Sequence, residues 1–389
     1  MLKLPSNNAT EKESSTPRES YIHLFLRFLR FGLLAWGGPV PQIAMIRQEL
    51  VEEEGWISRA RFNRVLAVFQ ALPGPEAHEL CVYFGMLSRG RTGAVLAGMG
   101  FMLPGFVLMF ALSYLYITYG SNLSLFQGVF WGFQTAIAAL IVRAVYQISR
   151  HALTDYWLWG IGLLSGVAHL LGLNFLPTLG LAGLAYALVK HRPTSTPFHL
   201  VAGIPLSLPS LVAAAVPTLP ALFVYGLRSG LLTFGGAYTA IPFLQHDAVV
   251  SGGWMTNQQF LDGLALSSIL PAPLIIFSTF VGYIGGGPLG ALALTSGIFL
   301  PSFLFTLIGY QYFERVIQNN TVHSFLDGVT AGVVGLIAAT TIGILKTAIT
   351  GLPALAMLLV AFLVLFYWKA RIAVPIVVLT AGLLGFIFF

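Results

Sequence analysis

Glu76, His78 and Glu79 follow directly on Pro73-Gly74-Pro75 in a chain that is otherwise poor in charge. If a helix resumes at Pro75, then Glu76, Glu79 and Tyr83 fall at i, i+3 and i+7 and form one polar stripe on an apolar rod. Carboxyls in hydrocarbon are costly and face a pathway or a basic partner, so Glu76 and Glu79 are candidates to carry a proton or to gate a passage. Solvation of the stripe at the membrane surface is the competing reading. His78 has no second His or Cys at ligand spacing, which favours packing over metal binding; no metal site and no cofactor are expected.

The breaks in the chain are a second kind of chemistry. Pro73-Gly74-Pro75 is matched later by Pro271-Ala272-Pro273, and Gly37-Gly38-Pro39 by Gly235-Gly236. Proline removes a helical hydrogen bond and glycine lets backbone come close, so bare N–H groups at a restarting helix can face an anion. The expected substrate contacts are Gly37, Gly38, Gln70, Pro73, Gly74, Pro75, Gly235, Gly236, Pro271 and Pro273, with Gln70 as a neutral donor. Taken singly, each break reads equally well as an ordinary kink. Arg30, Arg143 and Arg228 are the bases placed to draw an anion in, with snorkelling to the headgroups as their alternative role.

Elements able to position such groups follow from composition. Of 389 residues, 57% are apolar and 9% charged, against about 25% charged in soluble chains. The chain is therefore read as an integral membrane protein. Its net charge of +6 is carried by bases scattered singly between apolar runs, the pattern of loop anchors and not of a nucleic-acid surface. Cys81 is the only cysteine, which excludes a disulfide scaffold. Residues 1–20 read as a flexible tail. Apolar stretches lie at about 22–46, 62–88, 92–119, 124–149, 156–173 and 174–190, and again at about 217–245, 258–283, 287–311, 325–346, 352–368 and 371–389. The proline-rich 191–215 reads as a linker. Lengths near 20 residues without alternation give an all-α architecture of ten to twelve crossings. Residues 47–64, with eight charges, read as an interfacial helix anchored by Trp56.

An internal repeat organises all of this. Arg30–Gly38 (RFGLLAWGG) and Arg228–Gly236 (RSGLLTFGG) share six of nine residues at an offset of 198, and Trp56/Trp254, Phe62/Phe260, Pro73/Pro271 and Pro75/Pro273 share that offset. The chain thus holds two copies of one helical membrane unit, 21–190 and 216–389. Basic loops fall on different members of the two copies, with Lys346 dissenting, so the expectation is an inverted repeat with broken helices and a site where the copies meet. The partners of Glu76 and Glu79 in the second copy are Leu274 and Phe277, so proton handling should be unequal. No P-loop, H-E-x-x-H or G-x-S-x-G motif is present, which argues against an enzyme and leaves an ion gradient as the energy source.

Long motifs carry a family resemblance. Trp36-Gly37-Gly38-Pro39, GWISRARF (55–62), QALPGPEAHELCVYFGMLSRGRTG (70–93) and FMLPGF (101–106) resemble the chromate transporter family, as do LLTFGGAY, ILPAPLIIFSTFVGY and IFLPSF in the second copy. The resemblance spans about 22–389 and is to the long, two-domain members. It implies a multi-pass protein of the bacterial inner membrane that exports chromate on the proton motive force. The partners are then a small inorganic oxyanion (chromate, with sulfate or another oxyanion left open), protons and the lipid bilayer, with a homodimer also open and nucleic acid excluded. An anion channel without coupling is the rival reading. Two departures stand out: Pro41-Gln42 occupies the place where many members have Ala-His, and Ala272 replaces the middle glycine of the second break, which points to a structural role for that break.

Overall fold

A computed structural model describes residues 17–120, 124–190, 216–317 and 319–388. The expected linker 191–215, and residues 1–16 of the expected tail, lie outside the described residues. The described chain is helical throughout: α1 (Tyr21–Leu33), α2 (Pro39–Arg47), α3 (Arg59–Ala71), α4 (Glu76–Leu115), α5 (Ser124–Ala152), α6 (Tyr156–Leu170) and α7 (Phe175–Lys190) form the first copy. The second comprises α8 (Leu219–Leu232), α9 (Ala240–Gln245), α10 (Asn257–Ser268), α11 (Phe277–Ile317), α12 (Asn320–Ala348), α13 (Leu352–Tyr367) and α14 (Ala373–Phe388). Local signals repeat with the copies. Ser20 and Thr218 cap α1 and α8, and Ser58 and Thr256 cap α3 and α10, each side-chain oxygen accepting from the backbone N–H three residues on.

Four apolar stretches that read as single crossings are helices folded back on themselves. A helix of 13 residues such as α1 or α3 is only about 20 Å long at 1.5 Å per residue, too short for a core about 30 Å thick. In the first hairpin Arg30 of α1 is bonded to Glu49 just beyond α2, and in the equivalent hairpin Arg228 is bonded to Asp247. In the second, Arg61 Nε at the start of α3 donates to Tyr83 OH on α4 at 3.0 Å, and the Phe62 and Phe84 rings stack 6.4 Å apart. The counterpart joins α10 to the start of α11 through Phe260 and Phe277, 5.5 Å apart. All four tips carry the proline and glycine breaks, where the chain can reverse because no helical hydrogen bond must be kept. Among the described residues four helices are long and apolar enough to cross a membrane, Glu76–Gly120, Gln127–Ala152, Leu274–Gly309 and Asn320–Ala348, and shorter apolar helices such as α7, α13 and α14 pack beside them.

α4 and α11 each turn back as well, at Arg89–Gly90 and at Gly286–Gly287. Gly90 and Gly287 have φ of +61° and +60°, a conformation that glycine adopts without strain. Past the corner, Gly85 rests against the Gly93 carbonyl and Gly282 against the Gly290 carbonyl, the close backbone approach that small residues permit in membranes.

Long α5 and α12 exchange partners between the copies. α5 packs on α13 and α14, and α12 on α6 and α7. Gly132 meets the backbone at Ala381 and Gly382, and Gly328 meets it at Ala182 and Gly183, so the contact is made twice by equivalent residues, as a pseudo-twofold axis requires. The same contacts fix the direction of each copy. Trp131, early in α5, donates to Thr350, just after α12, at 2.6 Å; Tyr146, late in α5, lies 5.7 Å from Phe366, late in α13. Asp155, ahead of α6, accepts from Tyr186 near the end of α7 at 2.6 Å, and the start of α12 packs there through Phe325 on Gly183. α5 and α12 thus start on opposite faces, and so do the corners at Gly90 and Gly287 that precede them by one crossing. The repeat is inverted. Arg89, Arg91, Arg150 and Lys190 fall at one end of this arrangement and Lys346 toward the other, the basic end being the one the positive-inside rule expects in the cytoplasm.

Residues 47–64 are not one interfacial helix. A π-helical turn at Gln48–Glu53 and a break before Ser58 divide them, and Trp56, expected at the membrane surface, is fully buried. Its indole N–H donates to Glu54 at 2.7 Å, while Arg27 lies over its ring at 5.6 Å and bridges Glu19, Glu49 and Glu54. The charges neutralise one another across the mouth of the first two hairpins.

Two outcomes test this arrangement. Thr92→Cys and Leu289→Cys, exposed positions just past the two corners, should react with a membrane-impermeant maleimide from opposite sides of sealed vesicles; Cys81, being buried, should stay silent. Arg228→Ala should cost about 3–5 kcal/mol, because the Asp247 side chain it leaves is only 1% exposed. Arg30→Ala should cost less than about 1 kcal/mol, since that guanidinium is 55% exposed. Thermal unfolding of the purified variants in detergent measures the difference.

Candidate functional site

The tip of α3–α4 in the first copy meets the tip of α8–α9 in the second. The Gly74 amide donates to the Thr233 carbonyl at 2.9 Å, a bond between the two copies 159 residues apart in sequence. Gly74 has φ +149°, and a methyl group there would come within 2.7 Å of Ser302 Oγ and 2.8 Å of Glu79 Oε1. On the facing tip, Gly235 and Gly236 have φ of +79° and +106°, and a methyl group on Gly236 would lie 3.8 Å from Glu76 Oε1. Glycine is needed at these tips for its backbone angle and, at Gly74, for room.

Both carboxyls of the stripe are therefore inside the protein, between two broken hairpins. Glu76 is 8% and Glu79 0% exposed. Neither oxygen of Glu79, nor Oε2 of Glu76, has a hydrogen-bond partner, and no ion pair reaches either group among the described residues. Buried polar atoms without partners are rare in folded proteins and call for an occupant. Two more such atoms, Ser302 Oγ and Thr306 Oγ1, lie one helical turn apart on α11. His78 lies on the neighbouring face between Phe299 and Phe303, ring centroids 5.0 and 4.8 Å away, and both of its ring nitrogens are likewise buried without a hydrogen-bond partner. Tyr83 does not join the two carboxyls, its hydroxyl being held by Arg61.

The other expected residues divide. Pro73 and Pro75 flank Gly74 and are buried. Gly74 contributes closeness and not a free donor, since its N–H is taken by Thr233. Gln70 has an exposed side chain on α3, apart from the buried pair. Gly37 and Gly38, at the tip of α1–α2, have φ of +87° and +85° as their counterparts do, yet a methyl group on Gly38 would meet nothing within 4 Å and one on Gly37 would meet Arg371 backbone. Pro271 and Pro273 flank Ala272, whose methyl packs against Gly105 on α4. Gly105 and Ala272 are the repeat equivalents of Ser302 and Gly74, so the same contact recurs without its polar atoms.

Arg30 and Arg228, expected to draw an anion in, are also hairpin ties. Each is bonded to an acidic residue, Glu49 and Asp247, that itself repeats at the offset of 198. Had the two acidic partners been aligned along with the arginines, the tie was legible. Arg143 differs: it is half-buried within α5 and makes no ion pair among the described residues. A group sequence reasoning missed is Ser302, hidden because its repeat partner is a glycine. Among the described residues no cluster of three metal-ligating side chains occurs. A separate cavity of about 210 Å³ toward the other face is lined by Tyr116, Gln127, Gln259 and Asp262, but Asp262 is satisfied there by Tyr116 OH and Gln134 Nε2, each at 2.8 Å.

The arrangement brings two buried carboxyls and the Ser302 hydroxyl to the meeting of the two hairpin tips. The family model for chromate transporters matches the chain twice, over residues 22–215 and 220–386. A chromate transport protein of Pseudomonas aeruginosa is 52% identical across 97% of this chain and 94% of its own. A chromate transport protein of Cupriavidus metallidurans is 30% identical over 98% and 97%, and a probable chromate transport protein of Synechococcus elongatus 30% identical over 96% of each. No solved structure matches the chain. Two copies of the unit, matched in tandem and in full, make this chain a member of the chromate transporter family in its long, two-copy form.

Proposed function

We propose that the protein exports chromate across the inner membrane of a bacterium, using the proton motive force. The observation that carries the reading is the meeting of the Pro73–Pro75 and Gly235–Gly236 tips around the unpartnered carboxyls of Glu76 and Glu79. The oxyanion occupies the space between the tips, receiving N–H groups from the start of α4 and from Gly235–Gly236, a hydroxyl from Ser302, and long-range compensation from Arg143. Transport follows from rocking of one copy against the other. The Gly235–Gly236 tip faces first-copy α4 at Glu76, while the equivalent Gly37–Gly38 tip meets the Arg371 backbone, and exchange of these unequal contacts alternates access. Gly37, Gly38 and Gln70 serve the other half of that cycle, and Pro271 and Pro273 hold the apolar counterpart of the Pro73–Pro75 tip. Glu76 and Glu79 carry the coupling proton, because a carboxyl in a dry site can be emptied or filled by a proton far more cheaply than it can be left charged and alone.

Chromate accumulation by inside-out vesicles under an imposed pH gradient tests this. Wild-type protein should concentrate chromate against its gradient. Glu79→Gln should lower the gradient-driven rate by about a hundredfold, the scale on which positioned proton-transfer groups act, with Glu76→Gln intermediate and membrane insertion unchanged. Driven transport that persists in both variants removes the two carboxyls from the coupling, and flux that only ever follows the electrochemical gradient makes the protein a channel.

A further inference from the structure

The cavity of about 210 Å³ plays no part in the transport reading, yet its floor is a bond network that joins the two copies. Asp262, on α10 of the second copy, is 3% exposed. Its Oδ2 accepts from Tyr116 OH at the end of α4, and its Oδ1 from Gln134 Nε2 in α5, each at 2.8 Å. Both donors belong to the first copy. Resting on the transport reading for the motion it controls, we propose that Asp262 is a proton site separate from Glu76 and Glu79, which latches the copies together at their outer end and loosens when a proton arrives through this cavity.

The cavity lies on the seam between the copies. Its walls are Tyr116, Gln127 and Phe130 on one side and Thr256, Gln258 and Gln259 on the other, and Gln127, Thr256 and Gln258 are exposed. Gln127 sits in the first turn of α5, at the end opposite Arg150, so the mouth opens away from the basic, cytoplasmic end. At about 30 Å³ for each water molecule the space takes several, enough to bring a proton to the floor. The repeat makes the arrangement one-sided. The offset of 198 pairs Asp262 with Arg64, which is exposed on α3 at the other end. An acid thus closes the end where protons enter, and a base stands at the end from which an exported oxyanion comes.

Unlike Glu79, Asp262 is equipped to be ionised: each of its oxygens has a donor, and bonds to a carboxylate are about twice as strong as neutral ones. A proton passed from water to one oxygen turns that oxygen into a donor. Gln134 then keeps only a neutral bond, and Tyr116 must accept where it had donated. Other charges stand off. Beyond burial itself, only Gln134 and Tyr116 act on the Asp262 charge. From α11, Phe280 packs on Tyr116 at 5.0 Å and Tyr283 turns to Phe110 at 5.2 Å. Tyr114 and Tyr119 after it along the chain, and Lys346 of α12, are exposed, while α14 has no titratable side chain. Arg143 lies about 13 Å beyond Gln134 along α5, at 1.5 Å per residue.

Ala265→Cys reads the opening. Ala265 is buried one helical turn deeper than Asp262 on α10. In a Cys81→Ala background, a small membrane-impermeant thiol reagent added outside right-side-out vesicles should reach it only when the latch is loose. Each rate is divided by that of the exposed Gln258→Cys at the same pH, which removes the pH dependence of the thiol itself. The normalised rate should rise about tenfold as outer pH falls from about 8 to about 5, the difference between two charge-assisted and two neutral bonds. Asp262→Asn should hold the rate at its high value at every pH, and Asp262→Glu should restore the pH dependence. A normalised rate that stays flat with Asp262 in place overturns the proposal, as does one that still rises with acid in Asp262→Asn. Labelling needs no oxyanion, so the two readings separate. Acid-gated labelling in a protein that moves no chromate overturns the transport reading and keeps the latch, whereas driven chromate transport with ungated labelling does the reverse.

Discussion

Hydrocarbon cannot hydrogen-bond to a peptide group, so a chain that interrupts its helices inside a membrane must surround every interruption with protein. That constraint orders the rest of this structure. Each copy contains two hairpins whose tips end part-way through the bilayer, and each tip leaves amides and carbonyls unspent. The fold meets the demand by bringing hairpins in from both faces, so that one tip supplies what another lacks: the Gly74 N–H goes to the Thr233 carbonyl of the opposite copy. An inverted arrangement does this directly, since hairpins of the same length entering from opposite faces end at the same depth. The exchanged packing of α5 on α14 and α12 on α7 holds the two copies at that distance.

Pseudo-symmetry sets the frame and the residues then depart from it. Equivalent hairpins are tied at equivalent positions, by Arg30 with Glu49 and by Arg228 with Asp247, but the first tie is open to solvent and joins a larger network of acids and arginines, while the second is sealed. An exposed tie is screened and cheap to rearrange; a sealed one is costly to break because it strands a charge. The first-copy hairpin is therefore the freer of the two. At its tip Gly38 has nothing within 4 Å, while Gly37 lies against the Arg371 backbone.

Much of this was legible in the sequence, and for identifiable reasons. The tandem repeat, the four breaks and the carboxyl pair are written in rare residue types at a fixed offset, which tertiary context cannot disguise. Folding-back was not legible: a stretch such as 62–88 has the length and apolarity of a crossing, and hydropathy averages over Pro73-Gly74-Pro75 without registering that the chain reverses there. Trp56 illustrates the same limit. Its neighbours are charged, which suggested a surface anchor, but those charges close on one another through Arg27 and leave the ring inside. Ser302 was hidden by the repeat itself, because comparison with Gly105 draws the eye to what the copies share, and the polar atom is what they do not.

That difference between the copies has a physical logic. A site on a pseudo-twofold axis built from identical halves would gather four carboxyls in one dry space, and like charges so placed cannot all ionise without large mutual cost. Leu274 and Phe277 replace Glu76 and Glu79 in the second copy, and both are buried. Ala272 and Gly105 likewise fill, with carbon and nothing else, the contact that Gly74 and Ser302 make with polar atoms. One half thus carries the charge chemistry, and the other supplies a shape that closes over it. The arrangement keeps the pseudo-symmetry of the two modules while confining the unpartnered carboxyls to one tip.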